Sequence, residues 1–125
     1  MMFNFLRSDS PGGARVERMS ARDAIAKVAA GDLVLLDVRD GSELRSTGRA
    51  AGALHVPLMA LRMKCDPASP ECLKQLKTDK PVAVYCASGA RSSGAAQMLV
   101  RLGYQTVYNI GGLYEWHAAG GKIER

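Results

Sequence analysis

At 125 residues, 47% hydrophobic and 23% charged, the chain is long enough to bury a core of its own and short for two domains. Its glycine and proline counts, 13 and 5, exclude collagen-like repeats and wholesale disorder. Lys and Arg outnumber Asp and Glu 17 to 12, a net charge of +5, but the basic residues are scattered and aromatics reach only 6%, which points away from nucleic acid and toward a small anionic ligand.

In chain order, residues 1–15 read as a flexible N-terminal arm, because Ser8, Ser10, Pro11, Gly12 and Gly13 interrupt any periodicity. The apolar stretch Met1 to Leu6 is too short for a signal-peptide core, and no run nears the roughly 18 residues that cross a membrane. A cytoplasmic protein without membrane contact is therefore expected, with one domain over 16–125. A helix is predicted after Ser20: Ser20 and Asp23 have capping-box spacing, Ile25, Val28 and Ala29 share a face, and Gly31 stops it. Leu33 to Asp37 is a short apolar run, the pattern of a strand buried on both faces. Asp40 and Glu43 are placed to cap a second short helix, and Ala53 to Val56 form a short strand ended by Pro57.

Leu58, Met59, Leu61 and Met63 open a further helix, Asp66 to Pro70 a loop, and Glu71 to Lys77 another short helix. Val82 to Tyr85 is a second buried strand, followed by a loop from Cys86 to Arg91. Ala95, Met98, Leu99 and Leu102 then recur at helical spacing up to Gly103. Thr106 to Asn109 reads as a strand, and Leu113 to Ala119 as a last helix after Gly111-Gly112. Short apolar strands alternating with amphipathic helices define an α/β domain with a mainly parallel sheet. In such sheets sites form beyond the carboxyl ends of strands, which directs attention to Asp37 and to the segment after Tyr85.

Three cysteines occur, Cys65, Cys72 and Cys86. An odd, low count in a cytoplasmic chain suggests reduced thiols. Neither histidine, His55 nor His117, is spaced with them as zinc ligands, so no metal is expected. Six residues separate Cys65 from Cys72. A local disulfide, sulfur release from Cys86, or two unrelated thiols all fit that spacing.

Cys86 carries the strongest chemical signal. It stands at the end of a strand, and Ala87, Ser88, Gly89 and Ala90 form a tight run of small residues before Arg91 and Ser92. Such a loop turns successive N–H groups inward as an anion nest, and the following helix N-terminus adds roughly half a positive charge. A thiol there should ionise well below its free value of about 8.5.

Four segments resemble the rhodanese family of sulfurtransferases. Leu-Leu-Asp37-Val-Arg39 is similar to its first signature, and Gly48 to Pro57 to its Gly-His-Ile-x-Gly-Ala segment. Cys86 to Ser92 is similar to its active-site loop, and Gly111-Gly112-Leu-Tyr-Glu-Trp116 with Gly120 to its C-terminal signature. The resemblance implies a small, mainly parallel five-stranded sheet with helices on both faces. It implies a Cys86 that cycles between thiolate and persulfide without a cofactor. Ala87, Ser88, Gly89, Ala90, Arg91 and Ser92 would bind the substrate, and Asp37 and Arg39 would support the site; Arg49 joins the supporting residues on its charge alone, which suits the mouth of the site. The implied partners are a thiosulfate-like donor or a persulfide-carrying protein, for a chain expected to be monomeric. Ala87 replaces a frequent basic residue, Arg49 a usual His, and Lys122 a common Pro. A non-catalytic binding module is the rival reading. A cysteine-dependent phosphatase or arsenate reductase is a further one, although those enzymes place five residues between Cys and Arg where this chain has four, Ala87 to Ala90.

Overall fold

The computed structural model describes residues 15–125. Nearly all of the expected N-terminal arm lies outside the described residues. A five-stranded, all-parallel sheet has the order β1-β6-β5-β2-β4. Its strands are β1 (Val16–Arg18), β2 (Val34–Asp37), β4 (Leu54–His55), β5 (Val82–Cys86) and β6 (Val107–Gly112). The two central apolar runs became β2 and β5, and every residue of β5 is buried. A strand covered on both faces has no polar side to show, so its sequence is continuously apolar.

Helices cover both faces. On one side, α3 (Leu61–Cys65) and α4 (Ala90–Arg101) pack Leu61, Ala95, Ala96 and Leu99 against Leu36, Val82 and Val84. On the other, α1 (Ala21–Ala29) and α5 (Leu113–Ala118) bring Ala24 and Trp116 to Leu35, Ala83 and Tyr85. The Ser20 hydroxyl caps α1 by accepting the Asp23 N–H at 3.1 Å. The short α2 (Gly41–Thr47) follows β2, and Glu43 Oε1 accepts the Asp40 N–H at 3.0 Å at its start.

Three short strands were not foreseen. β1 forms the sheet edge by pairing with β6, while β3 (Arg49–Ala50) and β7 (Ile123–Glu124) make a separate antiparallel ribbon. The expected helix over Glu71 to Lys77 is absent. Successive four-residue turns hold that stretch, with Cys72 N–H donating to Ser69 O and Leu76 N–H to Leu73 O. Leu73 N–H donates to Lys64 O at 2.9 Å, which ties the stretch back to α3, and Leu76 enters the core from a turn. The break expected at Gly111-Gly112 is also displaced: β6 runs through both glycines.

At the carboxyl end of the sheet, Asp37 is fully buried against Arg39. Its carboxylate accepts the Arg39 backbone N–H at 2.9 Å, Arg39 Nη2 at 2.8 Å and the Tyr85 hydroxyl. Tyr85 Oη in turn accepts the Ala50 N–H at 2.9 Å. Replacing Tyr85 by Phe keeps the ring and leaves two buried polar groups one partner short. Tyr85→Phe is therefore expected to lower stability by about 1–3 kcal/mol, read as a lower urea midpoint at unchanged slope.

Candidate active site

The site forms where β5 hands over to α4. Up to Val84 the β5–β6 register is regular, with Val84 opposite Asn109. It then shifts, and Cys86 faces Gly112. One extra residue of β6 bulges at this point, which bends the strand end beside Cys86. Gly112 is needed for its lack of a side chain: a Cβ there would overlap the Ala87 carbonyl. Gly89 takes φ +105°, the left-handed turn that starts α4.

That turn aims backbone N–H groups at sulfur. Cys86 Sγ accepts the Gly89 N–H at 2.9 Å and the Ser92 N–H at 3.4 Å. The Ser92 hydroxyl lies 3.5 Å from Sγ. Burial by itself pushes the Cys86 thiol up, but hydrogen bonds from the Ser92 hydroxyl and from the Ser92, Gly89 and Ser88 N–H groups outweigh it and leave the thiol below its ordinary range. Ser92 is buried, and its single proton has several acceptors: Asn109 Oδ1 at 2.8 Å, Gly89 O at 3.1 Å and Gly111 O at 3.4 Å. Asn109 Oδ1 also accepts the Gly111 N–H at 3.0 Å, which fixes the orientation of its amide. In the thiol form Ser92 donates to Asn109 and receives the S–H. When sulfur is ionised the same hydroxyl turns to donate to it.

The other residues singled out in the sequence fall into four groups. Ala87, Ser88 and Ala90 are exposed on the loop rim. Arg91 does not face sulfur alone, because Glu43 holds its guanidinium in a bidentate pair at 2.7 and 2.9 Å. This pair ties the first turn of α4 to α2. Asp37 and Arg39 form the buried pair described above, with Arg39 also donating to Thr47 Oγ1 and to Gly48 O. Arg49 lies on β3 in a surface depression with Leu44, Arg45, Glu124 and Arg125, the last of which also borders the cavity beside Ala87. The sequence reading gave Glu43 only a capping role and did not reach Asn109. Their partners stand 48 and 17 residues away, and nothing local announces them. Beside Ala87 opens a cavity of about 590 Å³ lined by Arg39, Leu113, Tyr114, His117 and Arg125. Besides Arg39, which is held by Asp37, it brings apolar surface and two basic side chains to the loop. Among the described residues no cluster of His, Cys, Asp and Glu has the makings of a metal site.

The parallel α/β sheet thus delivers a cysteine sulfur into a nest of N–H groups at a helix N-terminus, an arrangement that favours the thiolate. The chain belongs to the rhodanese-like domain family, which it matches over residues 20–119. It is 37% identical over 91 residues to the uncharacterized protein YqhL of Bacillus subtilis, a match covering 72% of this chain and 63% of that protein's length. Among solved structures, a Rhodopseudomonas palustris protein of unknown function, described as a possible tyrosine phosphatase, is 36% identical with a TM-score of 0.78. That match covers 87% of this chain and 85% of the other. The human single-domain sulfurtransferase TSTD1 is 25% identical with a TM-score of 0.69, covering 84% and 97% of the two chains. These likenesses support a transferase at the level of the family.

Two outcomes are expected from this geometry. Alkylation of Cys86 by iodoacetamide should reach half its maximal rate at a pH below the ordinary thiol value, and Ser92→Ala should move that midpoint up by about one unit, the loss of one hydrogen bond to a charged atom. An unmoved midpoint would count against Ser92 as a thiolate donor. The Arg91 guanidinium, the largest influence, holds the Glu43 carboxyl down at about 2 against an ordinary 4.5. A depressed carboxyl stabilises the fold above its unfolded pKa and loses that contribution as pH falls toward its folded one. Glu43→Gln should therefore lower the urea midpoint at pH 7, by well under about 1 kcal/mol for so exposed a pair, and the gap should close by pH 2–3.

Proposed function

We propose that the chain is a sulfurtransferase that carries a sulfane sulfur on Cys86 as a persulfide. The observation that supports this reading is Cys86 Sγ seated against the Gly89 and Ser92 N–H groups at the start of α4. The cradle favours the thiolate, so the nucleophile forms without a general base. The thiolate attacks the outer sulfur of a thiosulfate-like donor. A new S–S bond forms at Cys86, the donor's own S–S bond breaks, and sulfite leaves with the electron pair. In the second half, cyanide or a thiolate attacks the outer sulfur of the persulfide. That bond forms, the persulfide S–S bond breaks, and the Cys86 thiolate returns to its N–H groups.

Donor recognition on this reading rests on backbone more than on side-chain cations. Ala87 brings no charge, and the charge of Arg91 is shared with Glu43. The loop N–H groups, the dipole of α4 and the His117 and Arg125 side chains of the adjoining cavity remain to attract an anion. Either a small anionic donor or a persulfide-carrying protein suits that arrangement. A phosphatase is the second reading, favoured by the description given to the R. palustris relative. The four-residue spacing from Cys86 to Arg91 and the engagement of Arg91 by Glu43 weigh against a loop that wraps a tetrahedral phosphoryl group.

Reduced protein mixed with thiosulfate and desalted should gain one sulfur atom by intact mass. Cyanide should remove it, and Cys86→Ser should not acquire it. The same protein should release no p-nitrophenol from p-nitrophenyl phosphate. Phosphatase turnover that depends on Cys86 would establish the second reading. A sulfur adduct that persists in Cys86→Ser would move the chemistry to another thiol. No adduct from thiosulfate or from a persulfide donor would leave a non-catalytic module.

A further inference from the structure

We propose that Cys65 and Cys72 form a second, redox-active site, a dithiol that a low-molecular-weight disulfide converts to an intramolecular Cys65–Cys72 bond. The inference is independent of the chemistry assigned to Cys86.

The fold brings these two thiols together. Between them, residues 66–71 are wound back on themselves: Asp66 Oδ1 accepts the Ala68 N–H at 2.9 Å, Asp66 O the Ser69 N–H at 2.9 Å, and Ser69 O the Cys72 N–H at 3.1 Å. The neck of the loop is closed by Leu73 N–H donating to Lys64 O at 2.9 Å. Those are the residues just outside Cys65 and Cys72. Covalent geometry then holds the two α-carbons within about 8 Å at the outside. That limit is compatible with the α-carbon separation of a disulfide, about 4.4–6.8 Å.

One aromatic residue neighbours both. The Tyr104 hydroxyl donates to Cys65 O at 2.7 Å, and Cys65 and Cys72 both help to push that phenol up, while the Cys72 thiol itself lies 3.8 Å from Leu73 O. Burial pushes the Cys65 thiol up to about 12, and the nearby Cys72 adds to the rise. Both cysteines are free. Tyr104, which holds Cys65, follows the end of α4 opposite the one that faces Cys86.

Exposure sets the order of events. Cys65 is fully buried, while Cys72 is half-buried. The Cys72 thiolate attacks one sulfur of the oxidant, displacing the first small thiol and leaving a mixed disulfide. Cys65, deprotonated as it is approached, attacks the Cys72 sulfur and displaces the second. Two protein thiols and one small disulfide become one protein disulfide and two small thiols. The product closes a ring around Asp66 to Glu71 and ties α3 to a stretch held only by turns, which restricts the unfolded chain.

The test is oxidation of the reduced chain by glutathione disulfide, then alkylation and tryptic mapping. Cleavage after Lys64 and Lys74 places both cysteines in one peptide, Cys65 to Lys74. That peptide should lose two hydrogens and resist alkylation, and the Tm of the oxidised protein should rise by several degrees. In Cys72→Ser, Cys65 should stay unmodified. Recovery of the peptide with both thiols alkylatable, a lasting glutathione adduct on Cys72, or a cross-link to Cys86 would each overturn the proposal.

Discussion

Asp37 places a carboxylate in a fully buried position at the end of a parallel strand, where an unpaired charge would cost several kcal/mol. The carboxyl end of the sheet is organised around meeting that demand. Arg39, two residues on, folds back onto it with backbone and side chain, and its guanidinium reaches on to Thr47 and Gly48. Tyr85 supplies a hydroxyl from the neighbouring strand and passes a hydrogen bond on to Ala50. One carboxylate thus joins β2, β5, β3 and the end of α2. The Arg39 guanidinium also lies 5.8 Å from the Tyr85 ring centre, in cation–π range. A buried network in which every member is satisfied has one geometry, so the strand ends cannot drift. Among the described residues no buried side-chain polar atom lacks a partner.

Cys86 is the residue after Tyr85, so the network fixes where the sulfur stands. The β6 bulge and Gly112 clear the space on one side, and Gly89 and the first turn of α4 deliver N–H groups on the other. Glu43 then clamps Arg91, the second residue of α4, to α2, which is anchored through Thr47 to Arg39. The sulfur cradle and the buried carboxylate are therefore two ends of one hydrogen-bonded frame. Desolvation alone would keep Cys86 protonated. The directed donors reverse that, and their direction depends on the frame.

Much of this was legible in the sequence, and the reasons differ by element. β2 and β5 announced themselves because strands buried on both faces are uniformly apolar. The loop from Cys86 to Ser92 was readable because small residues before a helix leave few backbone options. β1, β3 and β7 were not readable: each has two or three residues and exists only by pairing with a partner distant in sequence, as Arg49 does with Glu124. Leu73 and Leu76 have helical spacing, yet turns closed three residues apart give the same spacing, so the pattern could not tell them from a helix. Asp37 and Arg39 could be read as supporting residues because they close an apolar strand run, and they pair because they are two residues apart. The pairing of Arg91 with Glu43 left no local trace.

That pairing changes how the charge of the site is to be understood. From sequence, Arg91 is the nearest full positive charge to Cys86 and the natural anchor for an anionic donor. In the folded chain both carboxylate oxygens of Glu43 occupy its guanidinium, and the pair is close to neutral at the loop. Ala87 removes the other side-chain charge this loop often has. What remains on the proposed function is a field of oriented N–H dipoles, strong within a few ångströms of sulfur and weak beyond. Such a field stabilises a thiolate or persulfide at Cys86 far better than it gathers a free dianion from solution. Capture of the donor would then fall to the cavity beside Ala87, whose Leu113 and Tyr114 surfaces and two basic side chains suit a carrier with an apolar body and an anionic end.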